Sequence, residues 1–250
     1  MLEPTPHLSL IVPVYNEGQR ITSSLEQISA FLASLTRPAE LILVDDHSGA
    51  PTSELLVEFA RGRRGVTLLR NEQNRGKGFS VARGMLAAGG AYRVFTDADL
   101  AYPPSEVGKV LRDLETGADV AIACRVLPES RYVMSPTFFS YLYTRHVMSR
   151  VYNGLVRHAL IEGVLDTQAG LKGFTARAAT VIFSRVSIPR FGFDVEALFI
   201  ARKHGLTIKQ TAVDFRYDEE ATTVRFALDA ARMARDLYRV RVNDRRGLYD

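Results

Sequence analysis

The strongest constraint on this chain is an alternation in its hydrophobic pattern. Short, nearly continuous apolar runs are separated by longer segments with helical spacing, and several runs end in a polar cluster. Leu8-Ser-Leu-Ile-Val-Pro-Val14, Glu40-Leu-Ile-Leu-Val44, Val66-Thr-Leu-Leu69, Ala91 to Phe95 and Asp119-Val-Ala-Ile-Ala123 have the length of buried strands. Between the first two, Ile21, Leu25, Ile28, Leu32 and Leu35 recur at helical intervals, and shorter helices fit Ser53 to Arg61, Phe79 to Ala88 and Pro104 to Leu114. Strands alternating with helices in this way predict an α/β fold with a mostly parallel sheet covered on both faces. Such sheets bind ligands at the carboxyl ends of their strands. The polar clusters at 15–18, 45–49 and 97–99 all fall at such ends.

The second half is less regular. Ser135 to Ile161 is an aromatic and basic stretch with helical character, and Asp166 to Thr175 reads as a turn followed by a strand. Phe193 to His204 suits a helix, Thr207 to Phe215 alternates like a strand, and Thr222 to Arg241 reads as a last, Arg-rich helix. The 250 residues contain no Ser/Gly/Pro-rich linker and no internal repeat, so one domain over 1–250 is expected, with its core over about 8–225. The single Cys124 excludes an internal disulfide framework and a cysteine metal cluster. The first residues lack the basic-then-apolar layout of a signal peptide, and no apolar run is long enough to span a bilayer. These features predict a cytoplasmic protein, soluble or peripheral at the inner face of the membrane.

The formal charge is +4, with 27 Arg against 5 Lys. Arginine grips phosphate bidentately, so this bias suits phosphorylated substrates, and equally it reflects a general preference for Arg. No nucleic-acid motif is present, and nucleic acid is not an expected partner.

Thr96-Asp97-Ala98-Asp99 follows the apolar run Tyr92 to Phe95. Past a strand end, carboxylates at i and i+2 can converge on one hard divalent cation. Mg²⁺ and Mn²⁺ take carboxylate oxygens and complete their shells with water and substrate phosphates. The pair therefore points to a metal bridged to a diphosphate, although Asp-x-Asp also occurs in ordinary polar loops.

Seven motifs appear in order: Val12-Pro-Val-Tyr-Asn-Glu17, Val44-Asp-Asp-His-Ser48, Asn74-Arg-Gly-Lys-Gly78, Asp97-Ala-Asp99, Arg125, Asp166-Thr-Gln-Ala-Gly-Leu-Lys172 and Phe193-Asp-Val-Glu196. Together they resemble the inverting family 2 glycosyltransferases, and within them the polyprenyl-phosphate sugar synthases of the dolichyl-phosphate glucose and mannose type. The resemblance covers roughly residues 8–225. It implies a GT-A fold, a nucleotide-diphospho-sugar donor, a divalent metal and a polyprenyl phosphate acceptor. By the same resemblance Pro13, Tyr15, Glu17, Asp45 and Asp46 lie where the family holds base and ribose. An acidic acceptor there suits uracil and guanine alike. Lys77 is either a counter-charge to the diphosphate or a solvent-facing loop lysine. Asp97 and Asp99 are the metal candidates, with Asp99 the direct ligand and Asp97 nearer the ribose or sugar. Gln168 and Lys172 fall beside sugar and acceptor, and Leu171 stands where the family usually has Phe.

An alcohol acceptor needs a general base, whereas a phosphate monoester is already an oxygen nucleophile and needs cations to position it. Arg125, Arg131, Arg145 and Arg225 are the candidate cations. Asp194 is the residue to consider as base, and a helix N-terminal cap is its other reading. The wording of the late motifs favours UDP-glucose over GDP-mannose. The aromatic and basic residues of 135–161 suit a helix in a membrane interface, or a helix pair packed on the sheet. A soluble-alcohol transferase, a non-catalytic nucleotide-sugar-binding protein and a peripheral scaffold are the alternatives.

Overall fold

The computed structural model describes residues 5–134, 161–190, 192–217 and 226–250. In chain order the elements are β1 (Leu8–Val14), α1 (Arg20–Ala33), β2 (Ala39–Asp45), α2 (Thr52–Ala60), β3 (Val66–Arg70), α3 (Lys77–Ala87), β4 (Tyr92–Thr96), α4 (Pro104–Glu115) and β5 (Val120–Cys124). They continue with β6 (Arg131–Met134), β7 (Leu171–Thr175), α5 (Ala176–Phe183), α6 (Phe193–Lys203), β8 (Ile208–Ala212), β9 (Asp214–Tyr217) and α7 (Phe226–Arg245). The main sheet has seven strands in the order β3-β2-β1-β4-β7-β5-β8, and β6 pairs with β9 in a separate two-stranded sheet. All neighbours in the main sheet are parallel except β7, which runs antiparallel to both β4 and β5. The expected mostly parallel α/β sheet is therefore present, with one reversed strand in its middle.

Strand alternation divides the core between two faces. Leu10, Val12 and Val14 of β1 and Leu41 and Leu43 of β2 pack with Ile21, Leu25 and Ile28 of α1 and Val107, Val110 and Leu114 of α4. Ile11, Ile42 and Val44 point the other way, to Val81 and Met85 of α3, Ile182 of α5 and Leu198 of α6. Burial on both faces is why these strands read as continuous apolar runs rather than alternating ones. The helices begin where local chemistry predicts. Pro104 opens α4 with Glu106 in its first turn and Arg112 in its last, as the helix dipole favours.

Three features depart from the sequence reading, the unexpected strand β6 among them. The strand expected over Thr207 to Phe215 is two strands, because Val213 leaves the main sheet: its N–H donates to Ser130 Oγ at 3.0 Å and its carbonyl accepts from Arg131 N at 3.0 Å. The chain thereby switches from the β5 edge to the β6 partner. The helix α5 was not anticipated, although Thr175 Oγ1 caps it by accepting from Ala178 N at 3.2 Å. Among the described residues no helix is long and apolar enough to cross a membrane. Residues 135–160, which hold nearly all of the expected interfacial segment, lie outside the described residues, as does the start of the last helix over 222–225.

Candidate active site

The sheet topology gathers the sequence motifs on one edge. β1, β2, β4 and β5 run the same way, so Tyr15, Asp46, Asp97 and Arg125 each follow a strand on that side. β7 runs in reverse, with Leu171 opposite Thr96, so the segment before it, 166–170, reaches the same edge from the other direction. This single reversal puts Gly170 against Asp97, where a Cβ would collide with the carboxylate. Only glycine permits that approach.

The loops after β1 and β2 are stitched together. Asn16 N donates to Ser48 Oγ at 3.0 Å, Gly49 N to Asn16 Oδ1 at 2.9 Å, and Gly18 N to Thr52 Oγ1 at 2.8 Å. Beside them Tyr15 is 49% exposed, Pro13 is half-buried, and Glu17 lies 3.9 Å from Arg20. Asp45 and Asp46 are both buried but hold different things. Asp45 Oδ1 accepts from Ser48 N at 2.8 Å, and Oδ2 lies 3.6 Å from Arg70 Nε. Asp46 accepts from Asn71 Nδ2 at 2.7 Å, Arg75 N at 2.8 Å and Gly76 N at 2.7 Å. Its carboxylate thus fixes the loop that delivers Lys77. Gly76, at φ +93°, tolerates the turn into α3 and the contact with the Pro189 carbonyl.

Asp97 and Asp99 sit in a tight turn. Leu100 N donates to the Asp97 carbonyl at 3.2 Å, Leu100 has φ +52°, and Asp99 Oδ1 accepts from Ala101 N at 3.0 Å. Asp99 is exposed and Asp97 partly so. Lys77 Nζ meets Asp97 Oδ1 at 2.5 Å. Burial works against the Lys77 charge, but Asp97, Asp194 and Asp99 outweigh it and hold its pKa above the ordinary lysine value. Among the described residues no three His, Cys, Asp or Glu side chains group as a metal cage. Two accessible carboxylates fit a small hard cation that keeps water and phosphate in the rest of its shell.

Behind this open pair the charges are buried. Lys172, in the middle of the sheet, donates to the Ala169 carbonyl at 2.6 Å and to Asp194 Oδ1 at 2.5 Å. Burial lowers the Lys172 pKa and raises that of Asp194, in each case against the pull of the partner. Asp194 lies in the first turn of α6, whose N-cap is Gly192, so it is not the capping residue. Arg125 closes a bidentate pair on buried Asp166, Nε to Oδ2 at 2.7 Å and Nη2 to Oδ1 at 2.9 Å. The candidate acceptor cations therefore divide. Arg125 and Lys172 are held by carboxylates, Arg131 is exposed on β6, and Arg145 and Arg225 lie outside the described residues. Gln168 Nε2 is buried without a hydrogen-bond partner, an arrangement costing about 1–3 kcal/mol. It marks a donor available to a ligand at this edge.

One residue of the site's frame received no role from the sequence. Glu196, fully buried on α6, accepts from Ser187 N at 2.9 Å, Ser187 Oγ at 2.7 Å, Ile188 N at 2.8 Å and Tyr249 OH at 2.6 Å. The available signal was a carboxylate among Val195, Ala197 and Leu198, since acids surrounded by core residues are almost always partnered.

The model of the family described as "Glycosyl transferase family 2" matches residues 9–174. A dolichyl-phosphate beta-glucosyltransferase of Dictyostelium discoideum is 31% identical over 94% of this chain and 74% of its own length. The human protein of that name is also 31% identical, over 96% of this chain and 76% of its own. Among solved structures, glucosyl-3-phosphoglycerate synthase of Mycobacterium tuberculosis, in complex with Mn²⁺, UDP-glucose and phosphoglyceric acid, superposes with a TM-score of 0.68. It is 21% identical and the match covers 97% of this chain and 80% of that one, a likeness of fold, and this fold is the GT-A type. With the family model spanning well over half of the sequence and relatives 31% identical over nearly all of this chain, the chain belongs to glycosyl transferase family 2.

Proposed function

We propose that this glycosyltransferase moves glucose from UDP-glucose to a polyprenyl phosphate with inversion at the anomeric carbon. The observation that carries the reading is the charge cluster at the end of β4. There the accessible Asp97 and Asp99 face the Lys77 ammonium, in a chain aligned over almost its whole length with dolichyl-phosphate beta-glucosyltransferases. In this reading Asp97 and Asp99 hold Mg²⁺ or Mn²⁺, which supplies Lewis-acid stabilisation of the departing diphosphate. Pro13, Tyr15, Glu17 and Asp45 flank the nucleoside, and Asp46 holds the loop carrying Lys77. Lys77 exchanges Asp97 for the diphosphate as the donor binds, and Gln168 offers its free amide hydrogens to the sugar.

A phosphate oxygen of the acceptor attacks the anomeric carbon as the bond from that carbon to the diphosphate oxygen breaks. The electron pair leaves with UDP, and no proton needs to be removed. Asp194 fits that chemistry as a positioning group, since its carboxylate is buried and already accepts from Lys172. Arg131, Arg145 and Arg225 are the cations proposed for the acceptor phosphate, while Arg125 is held by Asp166. The aromatic and basic stretch 135–161 is the proposed peripheral contact with the lipid surface.

The test is nucleoside diphosphate release from purified protein given Mn²⁺, a short-chain polyprenyl phosphate and a panel of nucleotide-sugars. Release is expected from UDP-glucose, only with lipid phosphate and metal together. Asp99→Ala is expected to lower it about 10²- to 10³-fold, the scale of losing one transition-state charge stabiliser. Release that ignores the lipid phosphate would sink the acceptor assignment, and release from GDP-mannose alone would sink the donor assignment.

A further inference from the structure

A buried carboxylate surrounded by neutral donors is expensive, and Glu196 is such a group. Among the described residues it accepts hydrogen bonds from two backbone N–H groups and two hydroxyls, with no cation among these donors. A neutral side chain could fill the same volume, so the arrangement calls for a use that needs four converging hydrogen bonds. The geometry supplies one. Ser187 and Ile188, held by Glu196, lead directly to Pro189, whose carbonyl accepts from Phe79 N at 3.1 Å. The same carbonyl would lie 2.6 Å from a Cβ at Gly76, and that of Ile188 2.7 Å from one at Gly78. Lys77 lies between those two glycines.

Residues two apart on a helix point about 200° apart, so Asp194 and Glu196 face nearly opposite sides of α6. Asp194 reaches inward to Lys172, and Glu196 reaches outward to the segment that braces Lys77. The helix is clamped from both sides, and the outer clamp is closed by Tyr249, fully buried, whose hydroxyl donates to Glu196. Asn243 completes the hub, donating from Nδ2 to Ser187 Oγ at 2.9 Å and to Tyr249 OH at 3.2 Å.

We infer that Glu196, with Tyr249 as its hydroxyl donor, is a positioning residue of the donor site, setting Lys77 against Asp97 through the 187–189 segment. The inference rests on the reading of Lys77 and Asp97 as donor-side groups and adds to it two residues that touch neither donor nor metal. Tyr249→Phe removes one hydroxyl and no volume beyond it, and Glu196→Gln keeps the shape while losing the charge. Ile28→Val, on the opposite face of the sheet, serves as a destabilised control with the site untouched.

The experiment is calorimetric titration of UDP with Mn²⁺ into each folded variant. It is paired with the side-chain ¹⁵N resonance of Lys77 in the ligand-free protein, assigned through Lys77→Arg. Tyr249→Phe and Glu196→Gln are expected to weaken UDP about five- to tenfold and to shift the Lys77 resonance. Ile28→Val should change neither. UDP affinity and a Lys77 resonance equal to the unmodified protein's in both variants, with only a lower melting temperature, would overturn the inference and leave the donor reading intact. If the unmodified protein itself fails to bind UDP, the donor reading falls and takes this inference with it.

Discussion

The charged groups at the end of β4 and those behind β7 are built from the same residue types and behave differently. At β4, Asp97 and Asp99 keep carboxylate surface accessible around one ammonium. Behind β7, Lys172, Asp194 and Asp166 are almost wholly enclosed, and Arg125 is largely covered where it closes on Asp166. Counted across both regions, three cations face four carboxylates, a balance that a divalent cation would turn positive before an anionic donor arrives. Groups that must exchange partners during a reaction cannot also hold the fold, and here the two duties fall on different side chains. The open pair is available for exchange, and the buried pairs set where it stands.

The largest effect that could break this division lies in the buried region. Lys172→Ala leaves the Asp194 carboxylate enclosed without its cation and is expected to cost about 3–5 kcal/mol in urea unfolding. The double variant Lys172→Met, Asp194→Leu should recover most of that loss, because the penalty belongs to the orphaned charge rather than to the missing attraction. Asp99→Ala, by contrast, should stay within about 0.5 kcal/mol of the unmodified protein. A similar stability loss in Lys172→Ala and Asp99→Ala would erase the distinction.

A smaller effect sharpens it. If Lys77 is a partner that Asp97 gives up, Lys77→Met should change two affinities in opposite directions. Mn²⁺ alone should bind more tightly, since its competitor for Asp97 is gone. UDP in the presence of Mn²⁺ should bind about tenfold more weakly, the equivalent of about 1.4 kcal/mol. Isothermal titration with each ligand reads both. Weaker binding of both would make Lys77 a fixed strut like Lys172.

The open region was far easier to read in the sequence than the buried one, for physical reasons. β1 to β5 and α1 to α4 announce themselves because each strand is a local apolar run and each helix carries its own period. Asp97 and Asp99 are legible for a similar reason, as neighbours in sequence that share one turn. The pairs behind them join residues far apart along the chain, 22 positions for Lys172 and Asp194 and 41 for Arg125 and Asp166. They exist only because β7 inserts antiparallel between β4 and β5. No local pattern in Leu171-Lys-Gly-Phe-Thr175 announces that reversal, so Lys172 and Arg125 read as acceptor-facing cations when each already has a carboxylate. Glu196 was hidden for a different reason: Ser187 and Ile188 meet it across a turn with no regular period, and Tyr249 comes from 53 positions further on.

The smallest effects separate the two regions by pH. Burial alone would raise the Asp166 pKa, but Arg125, through its charge and its hydrogen bonds, outweighs burial and holds it below the ordinary carboxylate value. The folded protein therefore keeps this charge to lower pH than the unfolded chain, where Asp titrates near about 3.9. Stability from the Arg125–Asp166 pair is complete above that value and is lost as pH falls through the folded pKa. Lys77 behaves in the opposite sense. Its pKa is raised in the folded protein, so its contribution is complete below about 10.4, the unfolded lysine value, and is lost as pH rises through the folded one. Urea midpoints followed from pH 3 to 5 and from pH 9.5 to 11 should thus show two independent limbs. Asp166→Asn should flatten the acid limb and leave the alkaline one, and Lys77→Met should do the reverse. Were Lys77→Met to flatten the acid limb as well, the two clusters would titrate as one. The β4 pair would then belong to the same buried network that holds β7.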